Sequence, residues 1–153
     1  MKNKFLFGVV CVGACYAGSR YYYRNKNNKK NDRYFQWYKT LYQWITIQQD
    51  GGKITDYLKN QGYKSVAIYG MGELGKLLLR ELDDADIEIP FVIDQNAGSV
   101  TASGKKVMML KEIQEDVDVI VVSVIDKFDV IKADIEKYVN VPVVSLEDIL
   151  FSL

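Results

Sequence analysis

The sequence predicts an α/β domain built on a five-stranded parallel sheet in the order 3-2-1-4-5. Three observations lead there. Ser65 to Tyr69 and Val119 to Val124 are uninterrupted apolar runs of the kind buried on both faces of a parallel sheet. Segments with apolar residues at helical spacing alternate with these and with shorter strand-like runs. The sequence Gly70-Met71-Gly72-Glu73-Leu74-Gly75 sits between the first strand and the first of those helices. The chain divides by composition into residues 1–33, an apolar anchor-like segment and basic linker; residues 34–61, a helical lead-in; and residues 62–153, the α/β domain.

Phe5 to Gly18 is almost wholly apolar, with Lys2 and Lys4 before it and Arg20 after it. As a helix it rises only about 22 Å, short of the roughly 20 residues that span hydrocarbon comfortably. Tyr21, Tyr22 and Tyr23 could extend it, because tyrosine settles at the membrane interface. Four readings are open: a membrane anchor through residues 5–19, a cleaved secretory signal, a lipoprotein cleavage box at Val12-Gly13-Ala14-Cys15, and an apolar tail at an interface. Basic flanks favour the anchor with its linker on the cytoplasmic side. The net charge of zero hides the asymmetry: residues 1–33 carry eight Lys/Arg against one acid, whereas residues 34–153 carry twelve against nineteen. Tyr34, Tyr38, Leu41, Trp44 and Ile45 then form one aromatic stripe at helical spacing, expected to face the core, with docking of a partner as the alternative. Asp50-Gly51-Gly52 ends that helix, and Lys53 to Lys59 reads as a short one.

The glycine spacing has a physical purpose between a strand and a helix. Gly70 permits the tight turn, Gly72 lets the backbone approach a pyrophosphate, and Gly75 allows close packing of helix on strand. The amides that open the helix, from Met71 through Leu74, would meet the phosphate charge. Glu73, inside the glycine loop, would either lie near the phosphate charge or, as expected here, point outward from the first turn of the helix. Leu74, Leu77, Leu78 and Leu82 mark the inner face of the helix. Phe91 to Ile93 is the second strand and ends in Asp94, nineteen residues after Gly75, where a carboxylate accepts from a ribose; the competing role is to open the turn Asp94 to Gly98. No arginine follows Asp94 closely, which favours NAD over NADP.

Lys105 to Met109 reads as a short strand, Lys111 to Glu115 as a short helix, and Asp126 to Val139 as a helix with Phe128, Ile131, Ile135 and Tyr138 inward. Val141 to Val144 is the last strand, its Pro142 suiting an edge, and Ser145 with Asp148 resembles a capping box. The cleft above strands one and four is then the ligand site, lined by Ser123, Val124 and Ile125. Chemistry is sparse. The chain has no histidine, which removes the commonest general base, and both cysteines, Cys11 and Cys15, lie in the apolar segment. Ser123 has no histidine to activate it as a nucleophile.

These features are Rossmann-like. The run from Val66 through Gly72 to Phe91-Val92-Ile93-Asp94, together with Val119 to Val124 and Pro142 to Leu150, resembles the N-terminal Rossmann-like domain of membrane-anchored nucleotide-sugar dehydratases and epimerases of bacterial surface-polysaccharide biosynthesis. Related domains precede some sugar acetyltransferases, where the equivalent pocket is implied to hold a nucleotide-sugar. The likeness covers residues 62–150. The catalytic Tyr-x-x-x-Lys pair of the dehydratases belongs to a second domain, and residues 62–153 contain no such pair. The resemblance therefore implies a ligand, NAD or a nucleotide-sugar, and a pathway, without catalysis. The expected function is a nucleotide-binding accessory protein at the cytoplasmic membrane face, working with a polysaccharide-biosynthesis enzyme. An NAD-dependent enzyme that needs a partner, or a redox or nucleotide sensor, is the alternative.

Overall fold

The computed structural model describes residues 19, 25–26, 30–97, 104–113 and 116–153. Residues 5–18 of the expected anchor, Tyr21 to Tyr23, Cys11 and Cys15 lie outside them. Among the described residues no helix is long and apolar enough to cross a membrane. The chain divides into two units, residues 1–38 and 39–153. In the first, residues 30–38 are helical, and the ammonium of Lys30 lies 5.7 Å from the centre of the Tyr34 ring.

The second unit holds the α/β fold. Residues 39–49 are helical (α1), followed by α2 (Ile54–Asn60), β1 (Val66–Tyr69), α3 (Glu73–Asp83), β2 (Phe91–Ile93) and β3 (Lys106–Met108). A 3-10 turn at Leu110–Glu112 leads to β4 (Val119–Val122); a second, at Ile125–Lys127, leads into α4 (Phe128–Ile135), and β5 (Val143–Ser145) and α5 (Leu146–Ser152) close the chain. All four strand pairings are parallel and the order is β3-β2-β1-β4-β5, as the sequence predicts.

Both faces of the central strands are buried, which is why β1, β2 and β4 read as continuous apolar runs. Ala67, Phe91, Ile93, Ile120 and Val122 share a core with Met108 and with Ile135 of α4. The alternate set, Val66, Ile68, Val92, Val119 and Val121, is equally buried on the opposite side. Leu74, Leu78, Leu79 and Leu82 of α3 are buried as well. Leu77, expected inward, is 38% exposed, and Leu79 takes its place in the core.

Other expectations are corrected. The aromatic stripe faces the core only in part: Tyr34, Tyr38 and Ile45 are all more than half exposed. Its Trp44 is buried as expected; Thr40 and Ile47 are buried too. The Trp44 indole N–H donates to Glu81 Oε2 at 2.7 Å, tying α1 to α3. Tyr138 is exposed because α4 ends at Ile135. The helix expected at Lys111 to Glu115 is the 3-10 turn at Leu110–Glu112. Ser145 does cap α5, but its hydroxyl accepts from the Glu147 amide at 3.1 Å and Asp148 forms no capping box. Pro142 lies just ahead of edge strand β5, and its carbonyl accepts from Ile120 N at 2.9 Å.

Candidate functional site

Register brings the predicted residues to one rim. Tyr69 pairs with Ile93 on one side and with Val122 on the other, so the residues that follow each strand, Gly70, Asp94 and Ser123, share the C-terminal edge of the sheet. Backbone bonds continue the ladder past the strands: Gly70 N donates to Ile93 O at 2.8 Å, and Ser123 N to Tyr69 O at 3.0 Å.

The three glycines of the turn have different reasons for lacking a side chain. Gly70 has φ +95°, and a Cβ there would lie 2.9 Å from Val124 Cγ2. A Cβ on Gly75, in the first turn of α3, would fall 1.9 Å from the carbonyl oxygen of Gly70 and 2.9 Å from Ser123 Oγ. Both positions are therefore glycine for internal reasons. Gly72 is not. It has φ −66° and ψ −172°, which any residue adopts, and a Cβ there meets nothing within 4 Å. Gly72 is also the N-cap of α3, with no side chain capping the helix. Serine, asparagine or aspartate would cap that position slightly better than glycine. Open space and uncapped amides thus meet at the start of an eleven-residue helix.

The remaining turn residues fall into place around it. Leu74 is buried with its side chain in the core, so only its backbone faces the turn. Glu73 points outward, its side chain 71% exposed and paired with Lys76 at 3.1 Å. Met71 is half-buried, and its amide donates to Asp94 Oδ2 at 2.7 Å. The other carboxylate oxygen of Asp94 accepts from Asn96 N at 2.9 Å. Asp94 therefore opens the turn after β2 and also reaches back to the glycine turn, a contact that sequence reasoning missed.

Ser123 is buried under the turn, and its hydroxyl reaches Gly70 O at 2.9 Å and Tyr69 O at 3.1 Å. It holds the turn to β4 and does not line the cleft. Ile125 is likewise absent from the lining, whereas Val124 is part of it.

The cleft at this rim has a volume of about 610 Å³. Gly70, Asp94, Gln95 and Asn96 form one wall, and Lys127, Val130, Ile131, Asp134 and Lys137 form the other. It opens where the connections from β1 and β4 leave the sheet, the place at which α/β sheets of this order bind ligands. Tyr69 stands at its floor, half-buried, and burial pushes its phenol above the ordinary value. The nearby charges of Asp134 and Asp94 act in the same direction, opposed by a hydrogen bond with Gln95. The phenol is thus a proton-bearing donor at neutral pH. Asp134 is paired with Lys137 at 3.1 Å. The second wall also went unread in the sequence, although residues 127, 130, 131, 134 and 137 recur at helical spacing and were a legible signal.

Among the described residues, hollows of about 710 and 680 Å³ differ in kind. The first surrounds Glu81, whose carboxylate accepts from Trp44 Nε1, Gln48 Nε2 and Ile54 N. That cluster joins α1 and the start of α2 to α3, and its polar groups satisfy one another. The second lies at the opposite, N-terminal end of β1, around Gly62, Lys64 and Glu88.

No family model, curated protein or solved structure matches the chain.

Proposed function

We propose that this protein is a Rossmann-like nucleotide-binding protein that holds the diphosphate of its ligand, NAD or a nucleotide-sugar, over the turn from Gly70 to Gly75. The single observation carrying this reading is Gly72. Neither its backbone nor its neighbours require glycine, so the missing side chain leaves room for something outside the chain. A pyrophosphate fits that room, since the amides of the first turn of α3 lie beside it. Asp94 fits a ribose: each of its oxygens accepts one backbone amide and keeps a lone pair for a hydroxyl. The cleft beyond, with Tyr69, Gln95 and Asn96, suits the half of the ligand that extends past the phosphates.

Read with the resemblance noted above, this makes the protein an accessory, by itself non-catalytic, component of bacterial surface-polysaccharide biosynthesis, held at the cytoplasmic membrane face through residues 5–19. The residues present support binding better than turnover. With no histidine, the proton-transfer groups at the cleft include a carboxylate ion-paired to lysine, a carboxylate holding two amides, a second lysine, Lys127, and a phenol whose proton is held tightly.

The test is calorimetric titration of the wild-type protein and a Gly72→Val variant with NAD, NADP and a UDP-sugar. Binding of NAD or the UDP-sugar at millimolar concentration or tighter, abolished in the variant while its melting temperature is kept, supports the reading. Equal binding by both proteins, or no binding by either, refutes it. Mass spectrometry of whatever leaves the purified protein on denaturation separates NAD from a nucleotide-sugar.

A further inference from the structure

We infer that Asp94 is a positioning residue, which sets the shape of the glycine turn through the Met71 amide, and is more than a partner for ribose. The inference rests on the phosphate-binding reading above. It starts from the direction of one hydrogen bond. A carboxylate that only opened the turn after β2 would engage the amide two residues on, as Asp94 Oδ1 does with Asn96 at 2.9 Å. Its other oxygen instead crosses to β1's connection and takes the Met71 N–H at 2.7 Å, a short, charge-assisted bond.

That bond matters because of what flanks it. Met71 is the only residue between Gly70, at φ +95°, and Gly72, and glycines on either side leave the peptide free to rotate. Gly70 is fixed from below by its amide bond to Ile93 O and by the Ser123 hydroxyl on its carbonyl. Gly72 is held only from the helix side, its carbonyl accepting from Lys76 N at 3.0 Å; its Cβ position is open, and as N-cap it has no side-chain bond. The Asp94–Met71 bond is thus the last tether before the amides of α3. It aims Gly72 and the peptides that follow. Asp94 in turn is anchored, because its own amide donates to Met108 O at 3.0 Å.

This role makes a prediction opposite in sign to simple electrostatics. A carboxylate beside an anion site repels the anion, and removing it should tighten anion binding if charge were all that mattered. It would also release the Met71 amide as an additional donor. If Asp94 shapes the turn, its removal weakens binding even of an anion that has no ribose.

The experiment titrates inorganic pyrophosphate and ADP into full-length wild type, Asp94→Ala and Asp94→Asn. Asparagine keeps the size, but its single acceptor oxygen cannot serve both amides. Both variants are expected to lose roughly tenfold in pyrophosphate affinity, the scale of one charge-assisted hydrogen bond. Loss of ADP affinity should be larger, because the ribose contact goes too. Unchanged or tighter pyrophosphate binding, with ADP binding alone weakened, overturns the inference and leaves Asp94 as a ribose ligand only. Should the variants fail to fold, amide hydrogen exchange on the wild type decides. Met71 lies outside helix and strand, yet its amide should exchange slowly, and rapid exchange overturns the tether. If wild type binds neither pyrophosphate nor ADP, the nucleotide reading falls, and the Met71 exchange rate still settles whether Asp94 holds the turn.

Discussion

Alanine placed at Gly72 and, separately, at Gly75 separates a glycine kept for ligand from a glycine kept for packing. At Gly72 the new methyl touches nothing within 4 Å, and φ −66° with ψ −172° carries no strain. Reduced freedom in the unfolded chain stabilises by about 0.4–1 kcal/mol. Alanine is a poorer N-cap than glycine, which costs up to about 1 kcal/mol. These offset, so stability should stay within about 0.5 kcal/mol of wild type, or about 1–2 °C in melting temperature for a chain of this size. At Gly75 the helix gains about 1 kcal/mol in propensity from alanine. Against that stands a Cβ 1.9 Å from a backbone oxygen and 2.9 Å from Ser123 Oγ. The oxygen belongs to Gly70, which the sheet ladder holds in place, so the helix or the turn must shift. Overpacking of this kind costs about 1–3 kcal/mol, and backbone overlap belongs at or beyond the upper end. A net loss of about 2 kcal/mol or more is expected. Urea unfolding followed by fluorescence of the buried Trp44 measures both variants. A Gly72→Ala protein that loses more than about 1.5 kcal/mol, or a Gly75→Ala protein as stable as wild type, refutes the reasoning.

Three further outcomes follow from particular contacts. Glu81→Ala strands the Trp44 indole N–H and the Ile54 amide, both at 2.7 Å, and should cost about 2–4 kcal/mol in urea unfolding, whereas an unchanged midpoint would show these bonds to be replaceable by water. The amides of Lys64 and Ser65 hold the Asp118 carboxyl below its ordinary range; its contribution is therefore complete above the unfolded value and lost as pH falls through the folded one. The urea midpoint should decline on acidification from about pH 6 to about pH 3, less steeply in Asp118→Asn, and equal slopes would contradict this. Full-length protein should sediment with membranes while a chain starting near Tyr34 stays in the supernatant, and full-length protein found wholly in the cytosolic fraction would remove the anchor reading.

The sheet was legible because burial on both faces leaves a direct mark: Val66 to Tyr69 and Val119 to Val122 are apolar without interruption. The glycine turn was legible because its spacing coincides with a strand end and a helix start. Periodicity proved weaker at telling which face is covered. Tyr34, Tyr38, Trp44 and Ile45 read as members of one stripe, yet of these four only Trp44 is buried. In the same way Val130 is 72% exposed because its side of α4 borders the cleft, where an apolar residue looks like a core residue in sequence. The two most informative contacts, Asp94 with Met71 and Glu81 with Trp44, join residues 23 and 37 positions apart. No local pattern announces them. They exist because the parallel register sets Asp94 beside Gly70, and because α1 and α2 meet α3 at Glu81.

The proposed phosphate-binding role of the glycine turn is tested most directly by mapping backbone amide chemical shifts of the isotope-labelled protein as inorganic pyrophosphate, and then NAD or a UDP-sugar, is added. The amides of Gly72, Glu73 and Leu74 should move first and furthest with pyrophosphate alone. Those of Asp94 to Asn96 should join them when a ribose is present. Larger shifts elsewhere, for example around Glu81 or at the N-terminal rim near Gly62, or no shifts at millimolar ligand, would contradict the assignment of this turn as the ligand site.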